Sequence, residues 1–158
     1  MNRLLTVGCV GLVFAWASMS GLAEETGAVT SRTALAVGQE ASSSVLDGVF
    51  TSAQALRGGG LYNENCASCH GPDFMGDEMA PSIAGNDFIV YWTEVPVGLL
   101  FERIKVSMPA DAPGRLSDEE YTDVLAYLLE ASSYPSGESE LPADKAALDQ
   151  IMIVAPAE

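Results

Sequence analysis

Apolar residues recur with a helical period in two stretches of this chain and alternate with a strand period almost nowhere. Tyr121, Val124, Leu125, Leu128 and Leu129 stand at i, i+3, i+4, i+7 and i+8, one stripe along a helix. Ser117-Asp118-Glu119-Glu120 just ahead of it is a capping box, with Ser at the N-cap and Glu three residues on. Val97, Leu100, Phe101 and Ile104 mark a second helix over residues 96–107. Pro96 suits its first position. Pro109 ends it and pushes Met108 out of the helical region. A further helix starts near Thr51 or Ser52, either of which can serve as N-cap. It runs through Ala53, Leu56 and Gly60 toward Tyr62. Its Gly58-Gly59-Gly60 run costs about 1 kcal/mol per glycine relative to alanine in a helix. That cost predicts close approach of another helix backbone; a plain loop is the alternative. Residues 71–95, punctuated by Gly71, Pro72, Gly76, Pro81 and Gly85, read as mostly irregular. Residues 134–158 read as a tail, partly docked through Leu148, Ile151, Met152 and Ile153, with room for a short helix. The expected fold is all-α with three main helices.

The ends of the chain differ from its middle. Residues 1–23 read as a signal peptide: Arg3, an apolar core over residues 4–16, then Gly21 and Ala23 for cleavage after Ala23. Thr6, Gly8 and Gly11 break the apolar run, so a stable membrane span is the weaker reading. Cys9 lies inside this leader and is expected to leave with it. Residues 24–46 are rich in Ala, Ser, Thr and Gly and show no sustained period, which predicts a flexible segment. A single folded domain is expected over residues 47–133. The 158-residue chain carries a formal charge of −15. Arg3 is the only charged leader residue, so its removal takes the mature chain to −16. Such a charge argues against nucleic acid and anionic membranes as partners. It favours a partner with a positive docking patch, or serves solubility alone.

The chemistry sits at Cys66-Ala67-Ser68-Cys69-His70, which contains the only histidine. Cys-x-x-Cys-His is the attachment signature of c-type haem. Each sulfur adds to a haem vinyl group, and the adjacent histidine turns inward to ligate iron. Three plainer readings compete. A zinc site needs a second Cys/His pair, and a thioredoxin-type pair needs a βαβ pattern; neither is visible. The third is a chance pair of thiols, or a tight disulfide. Export through the leader agrees with haem attachment. The helices would then wrap one flat, apolar cofactor whose burial helps a small core. No second histidine exists for the sixth iron position. The mature chain offers Met75, Met79, Met108 and Met152. Met108 is favoured because a ligand must leave the helix surface and reach across the haem, and Ser-Met-Pro at a helix end allows that. Met75 and Met79 follow His70 too closely to cross to the opposite face and read as loop or core residues. Met152 is a distant candidate. A neutral thioether favours ferrous iron and suits an electron carrier.

These residues in this order resemble the class I monohaem cytochromes c. The match comprises Gly58-x-x-x-Tyr62-x-x-x-Cys66-x-x-Cys69-His70-Gly71, Pro81-x-Ile83-x-Gly85, Met108-Pro109 and Ala126-Tyr127-Leu128, and covers about residues 48–132. Asp47-Gly48-Val49-Phe50 and the Pro-Ala-Asp-Ala-Pro-Gly-x-Leu-Ser run after Met108 look like small bacterial cytochromes that serve periplasmic dehydrogenases, including quinoprotein ones. The resemblance implies one covalent haem c with its iron, held by Cys66 and Cys69 and ligated by His70 and Met108. It implies that Gly58 lies where the first and last helices cross, near Tyr127. It also implies that the Pro81 carbonyl accepts the Nδ1–H of His70, and that Ile83 packs on the haem. Trp92 could donate to a propionate, though a partly buried core tryptophan is the plainer reading. Arg103, Lys105 and Arg115 could pair with propionates, form a small basic spot, or simply be solvated. The expected function is a periplasmic one-electron carrier, not an enzyme. Its partners would be redox proteins: a periplasmic dehydrogenase as donor, and an oxidase or another cytochrome of the respiratory chain as acceptor. The alternatives are a fixed subunit of a dehydrogenase complex and a haem protein that binds gases or reacts with peroxide.

Overall fold

The computed structural model describes residues 43–156. The leader expected over 1–23 and the first part of the expected flexible segment, residues 24–42, lie outside the described residues. The elements in chain order are β1 (Ser43–Ser44), a 3-10 turn (Val45–Asp47), α1 (Ser52–Asn65), α2 (Ala67–His70), α3 (Gly85–Trp92), α4 (Val97–Ser107), α5 (Asp118–Ala131), α6 (Lys145–Leu148) and β2 (Ile151–Met152). The architecture is all-α apart from one two-residue strand pair. Local signals set the expected helices. Thr51 Oγ1 accepts the Gln54 N–H at 3.0 Å to start α1. Ser117 Oγ accepts from Glu120 N–H at 3.2 Å while the Glu120 carboxylate accepts from Ser117 N–H at 2.7 Å, closing the capping box of α5. Helix α4 begins one residue later than Pro96 and stops at Met108, whose φ of −128° and ψ of 151° are extended.

Helices α1 and α5 form the central packed pair. A Cβ on Gly58 would overlap the backbone of Asp123 and Val124, so only glycine permits the crossing. Gly59 lies against the Tyr127 ring, and Gly60 meets nothing. Two glycines of the costly run thus have a steric reason and the third has none. Tyr62, Tyr121, Leu125, Leu129, Phe50 and Phe101 fill the space between the helices as buried core.

Two expectations need correction. Residues 85–92, inside the stretch expected to be mostly irregular, form α3, an eight-residue helix beside the three expected main ones. Residues 88–92 are all apolar and carry no visible period. Packing supplies the missing asymmetry: Phe88 is buried, Ile89 and Trp92 half-buried, and Val90 and Tyr91 exposed. The first turn is fastened from a distance, with the Gly85 N–H donated to Ser132 Oγ at 3.1 Å.

The second correction concerns the ends. Residues 43–46 were expected within the flexible segment, yet β1 pairs in parallel with β2, Ser43 opposite Ile151, and Val45 is fully buried. Strand pairing uses backbone groups, so a polar Ser-Ser sequence does not reveal it. The tail docks far more completely than expected, with Leu141, Leu148, Ile151 and Ile153 all buried. The buried Gln54 amide donates to the Leu141 carbonyl at 3.1 Å and accepts the Leu141 N–H at 2.8 Å. Ile153 exchanges backbone bonds with Glu94 and Val95. No helix among the described residues is long and apolar enough to cross a membrane.

Candidate haem-binding site

Helix α1 ends at Asn65, and the chain turns at Cys66 into the single turn of α2. Both thiols are free; Cys66 is half-buried and Cys69 exposed. Burial pushes the Cys66 thiol up to about 11, so it is neutral at pH 7. The turn closes through His70 N–H and Gly71 N–H, donated to the carbonyls of Cys66 and Ala67. His70 is buried, and its Nδ1 lies 2.9 Å from the Pro81 carbonyl oxygen. A carbonyl can only accept, so Nδ1 carries the proton. Among the described residues no protein group hydrogen-bonds the other ring nitrogen, Nε2.

The loop that brings Pro81 back is held at several points. Gly76 N–H donates to the His70 carbonyl at 2.9 Å, and Asp77 N–H to the Ala80 carbonyl at 2.8 Å. The Asp77 carboxylate accepts from Met79 N–H and Ala80 N–H at 2.7 and 3.0 Å. Gly76 takes φ +69°, and a Cβ there would overlap the backbone of Ala80 and Pro81. Tyr62 Oη donates to the Gly71 carbonyl at 2.6 Å, and its ring packs with Phe74 and Tyr127 at centroid distances of 4.8 and 5.6 Å. Ile83 is half-buried against the core, its N–H donated to the Phe74 carbonyl at 3.1 Å.

Met108 sits on a separate, equally fastened segment. Its N–H donates to the Ile104 carbonyl at 2.8 Å, and its own carbonyl accepts from Tyr121 Oη at 2.7 Å. The same hydroxyl accepts the Gly114 N–H at 3.1 Å. Arg115 reaches Asp111 at 3.0 Å and the side chain of Asn65 at 2.9 Å, so the Met108 loop is bonded to the residue before Cys66. Met108 is half-buried, whereas Met75 and Met79 are 66% and 93% exposed on the loop after His70. Met152 belongs to β2 in the tail.

The bases near Met108 do not form an open basic spot. Lys105 pairs with Asp118 at 2.6 Å and lies over the Phe101 ring, Arg115 is engaged as above, and Arg103 is exposed with no ion pair among the described residues. Trp92 is half-buried against the core. The sequence did not single out Tyr121, Asn65 or Phe74. Tyr121 read only as a stripe member, but a hydroxyl on a buried face needs a partner, which was the available signal.

The donor chemistry fits a covalently attached haem. Two free thiols flank two residues, and beside them a buried imidazole has one nitrogen held and the other free of protein partners. Among the described residues no group of three His, Cys, Asp or Glu side chains could hold a metal ion instead.

The family model described as cytochrome C oxidase, cbb3-type, subunit III matches residues 53–128. No curated protein and no solved structure matches the chain. The matched span runs from α1 through most of α5 and contains the cysteine pair, Pro81 and Met108; β1 and the docked tail lie outside it. Residues 53–128 are therefore a c-type cytochrome domain of class I, an all-α electron-transfer fold that carries covalently bound haem c.

Proposed function

We propose that the protein is a periplasmic one-electron carrier whose haem is attached through Cys66 and Cys69 and ligated by His70 and Met108. When bound, the haem iron supplies the one-electron oxidation and reduction. The rest is the work of this chain's residues. His70 offers Nε2 while the Pro81 carbonyl holds Nδ1–H, which sets the ring's orientation and basicity. Ile83 would give the haem an apolar contact. Met108 presents a neutral thioether from the end of α4, and such a ligand favours the reduced state. The observation that carries this reading is the 2.9 Å bond between His70 and Pro81, formed across eleven residues with Nε2 left over.

Export is supported by the leader pattern of residues 1–23 together with the attachment motif. Redox proteins are the expected partners: a periplasmic dehydrogenase as donor, and an oxidase or another cytochrome of the respiratory chain as acceptor. Residues 58–102 contain seven acids and no base, and Met75 and Met79 stand exposed among Asp73, Asp77 and Glu78. A partner with a positive patch around an apolar centre complements that surface. The second reading, a fixed subunit of an oxidoreductase complex, is favoured by the description of the matching family as an oxidase subunit. Residues 134–156 pack on their own domain through Leu141, Leu148, Ile151 and Ile153, however, and so do not form a loose tether. Co-purification with such an enzyme would establish the fixed-subunit reading.

The test is the absorption spectrum of the oxidised protein expressed in the periplasm. His/Met ligation gives a weak red charge-transfer band from sulfur–iron(III). Met108→Ala should abolish the band, lower the reduction potential and open the iron to added ligands. An unchanged potential removes Met108 from the site, and a missing band in the wild type makes gas binding or peroxide chemistry the reading to beat.

A further inference from the structure

We propose that Tyr121 is the positioning residue for the distal ligand, its hydroxyl holding the Met108 backbone so that the thioether sulfur stays within reach of the iron. The inference rests on Met108 being that ligand. Helix α4 secures only one side of Met108, through the bond from its N–H to Ile104. Beyond it the chain enters a loop with two backbone turn bonds, Ala112 to Pro109 and Arg115 to Ala112, and the Arg115 side chain ties its far end to Asp111 and Asn65. None of these bonds reaches Met108 itself, an extended residue at a helix end. The Tyr121 hydroxyl closes the loop on itself, donating to the Met108 carbonyl at 2.7 Å and accepting from Gly114 N–H at 3.1 Å. Both hydrogen-bonding capacities of the hydroxyl are thereby used on the two ends of the ligand loop.

The anchor itself is rigid. Tyr121 is 1% exposed and lies in the first turn of α5, directly behind the capping box. Its ring meets Phe101 of α4 edge-on at 6.4 Å. The hydroxyl position is therefore set by the packing of α4 on α5, the same packing that places the end of α4. Ligand position and helix packing are coupled through one oxygen atom.

The test is Tyr121→Phe, which keeps the ring and its contact with Phe101, compared with Ser117→Ala. The second variant weakens the same helix through its cap without touching Met108. Imidazole is titrated into the ferric holoproteins, and the red band and thermal unfolding are recorded. Tyr121→Phe loses the bonds to both Met108 and Gly114, and the loss of the Met108 bond alone, at ordinary net strength, should let imidazole displace the sulfur roughly three- to tenfold more readily. Ser117→Ala should match the wild type in imidazole affinity while unfolding at lower temperature. Equal imidazole affinities in both variants would make Tyr121 a structural residue only and overturn the proposal. A wild type that lacks the red band and binds imidazole as readily as Met108→Ala would instead remove Met108 ligation, and this inference with it. Should Tyr121→Phe not accumulate as holoprotein, proton NMR of the ferrous wild type decides. A slowly exchanging Tyr121 hydroxyl and Gly114 amide are expected, and rapid exchange of both overturns the proposal.

Discussion

At Gly58 two fourteen-residue helices meet backbone to backbone, and the physical consequences differ from one glycine to the next. A methyl group at Gly58 strikes the peptide between Asp123 and Val124, which cannot rotate aside as a side chain could. Gly58→Ala should destabilise the protein by about 1–3 kcal/mol or more through overpacking. Gly60 is exposed with no atom near its would-be Cβ, so Gly60→Ala should gain up to about 1 kcal/mol from helix propensity alone. Urea unfolding of both variants checks the pair, and equal effects would contradict the crossing geometry. The run was legible in the sequence as an anomaly, because three glycines in a helix ask for a reason. Which of the three meets the partner backbone depends on the register of two helices about 65 residues apart, which only the folded structure defines.

Among elements, the least visible in the sequence are those fastened by distant partners. Helix α3 has five consecutive apolar residues and no side-chain cap, and takes its asymmetry from what it packs on. The tail is held to α1 by Gln54 and by Arg57, which pairs with both Asp123 of α5 and Glu140. The Arg57 guanidinium, through its hydrogen bonds, holds the Glu140 carboxylate below its ordinary value of 4.5. A folded value below the unfolded one means that the pair adds stability above pH 4.5 and loses it as pH falls through the folded value. Glu140→Gln should therefore lower the urea midpoint at pH 7, and the gap should close as pH falls through the folded value. Both side chains are about half exposed, so the gap is small. A gap that persists in acid would show that Glu140 acts by packing and not by charge.

For the whole molecule, charge is the property that reaches a partner before any contact forms. The formal charge is −15, and the stretch from 58 to 102 around the attachment motif carries no base to offset its acids. If docking uses this field, electron transfer with the physiological donor should slow steeply as ionic strength rises. Stopped-flow rates across a salt series measure this, and a flat profile would leave the charge as a device for solubility. The docked ends bear on the same point. With β1 paired to β2 and residues 134–156 packed on the domain, the described chain presents one continuous body to such a partner.

The sequence alone determined the cofactor chemistry, the capped helices α1 and α5, the extended break at Met108 and the sign of the surface charge. Each of these depends on residues within one or two helical turns of each other, or on composition. Tertiary structure decided α3, the strand pairing of two polar or short segments, the tail's seat on Gln54 and Arg57, and the bonds of the Tyr121 hydroxyl to Met108 and Gly114. Those features rest on contacts between residues far apart in the chain, such as Ser43 with Ile151 and Gln54 with Leu141. No local pattern encodes such contacts, because their energy exists only once the intervening helices have packed.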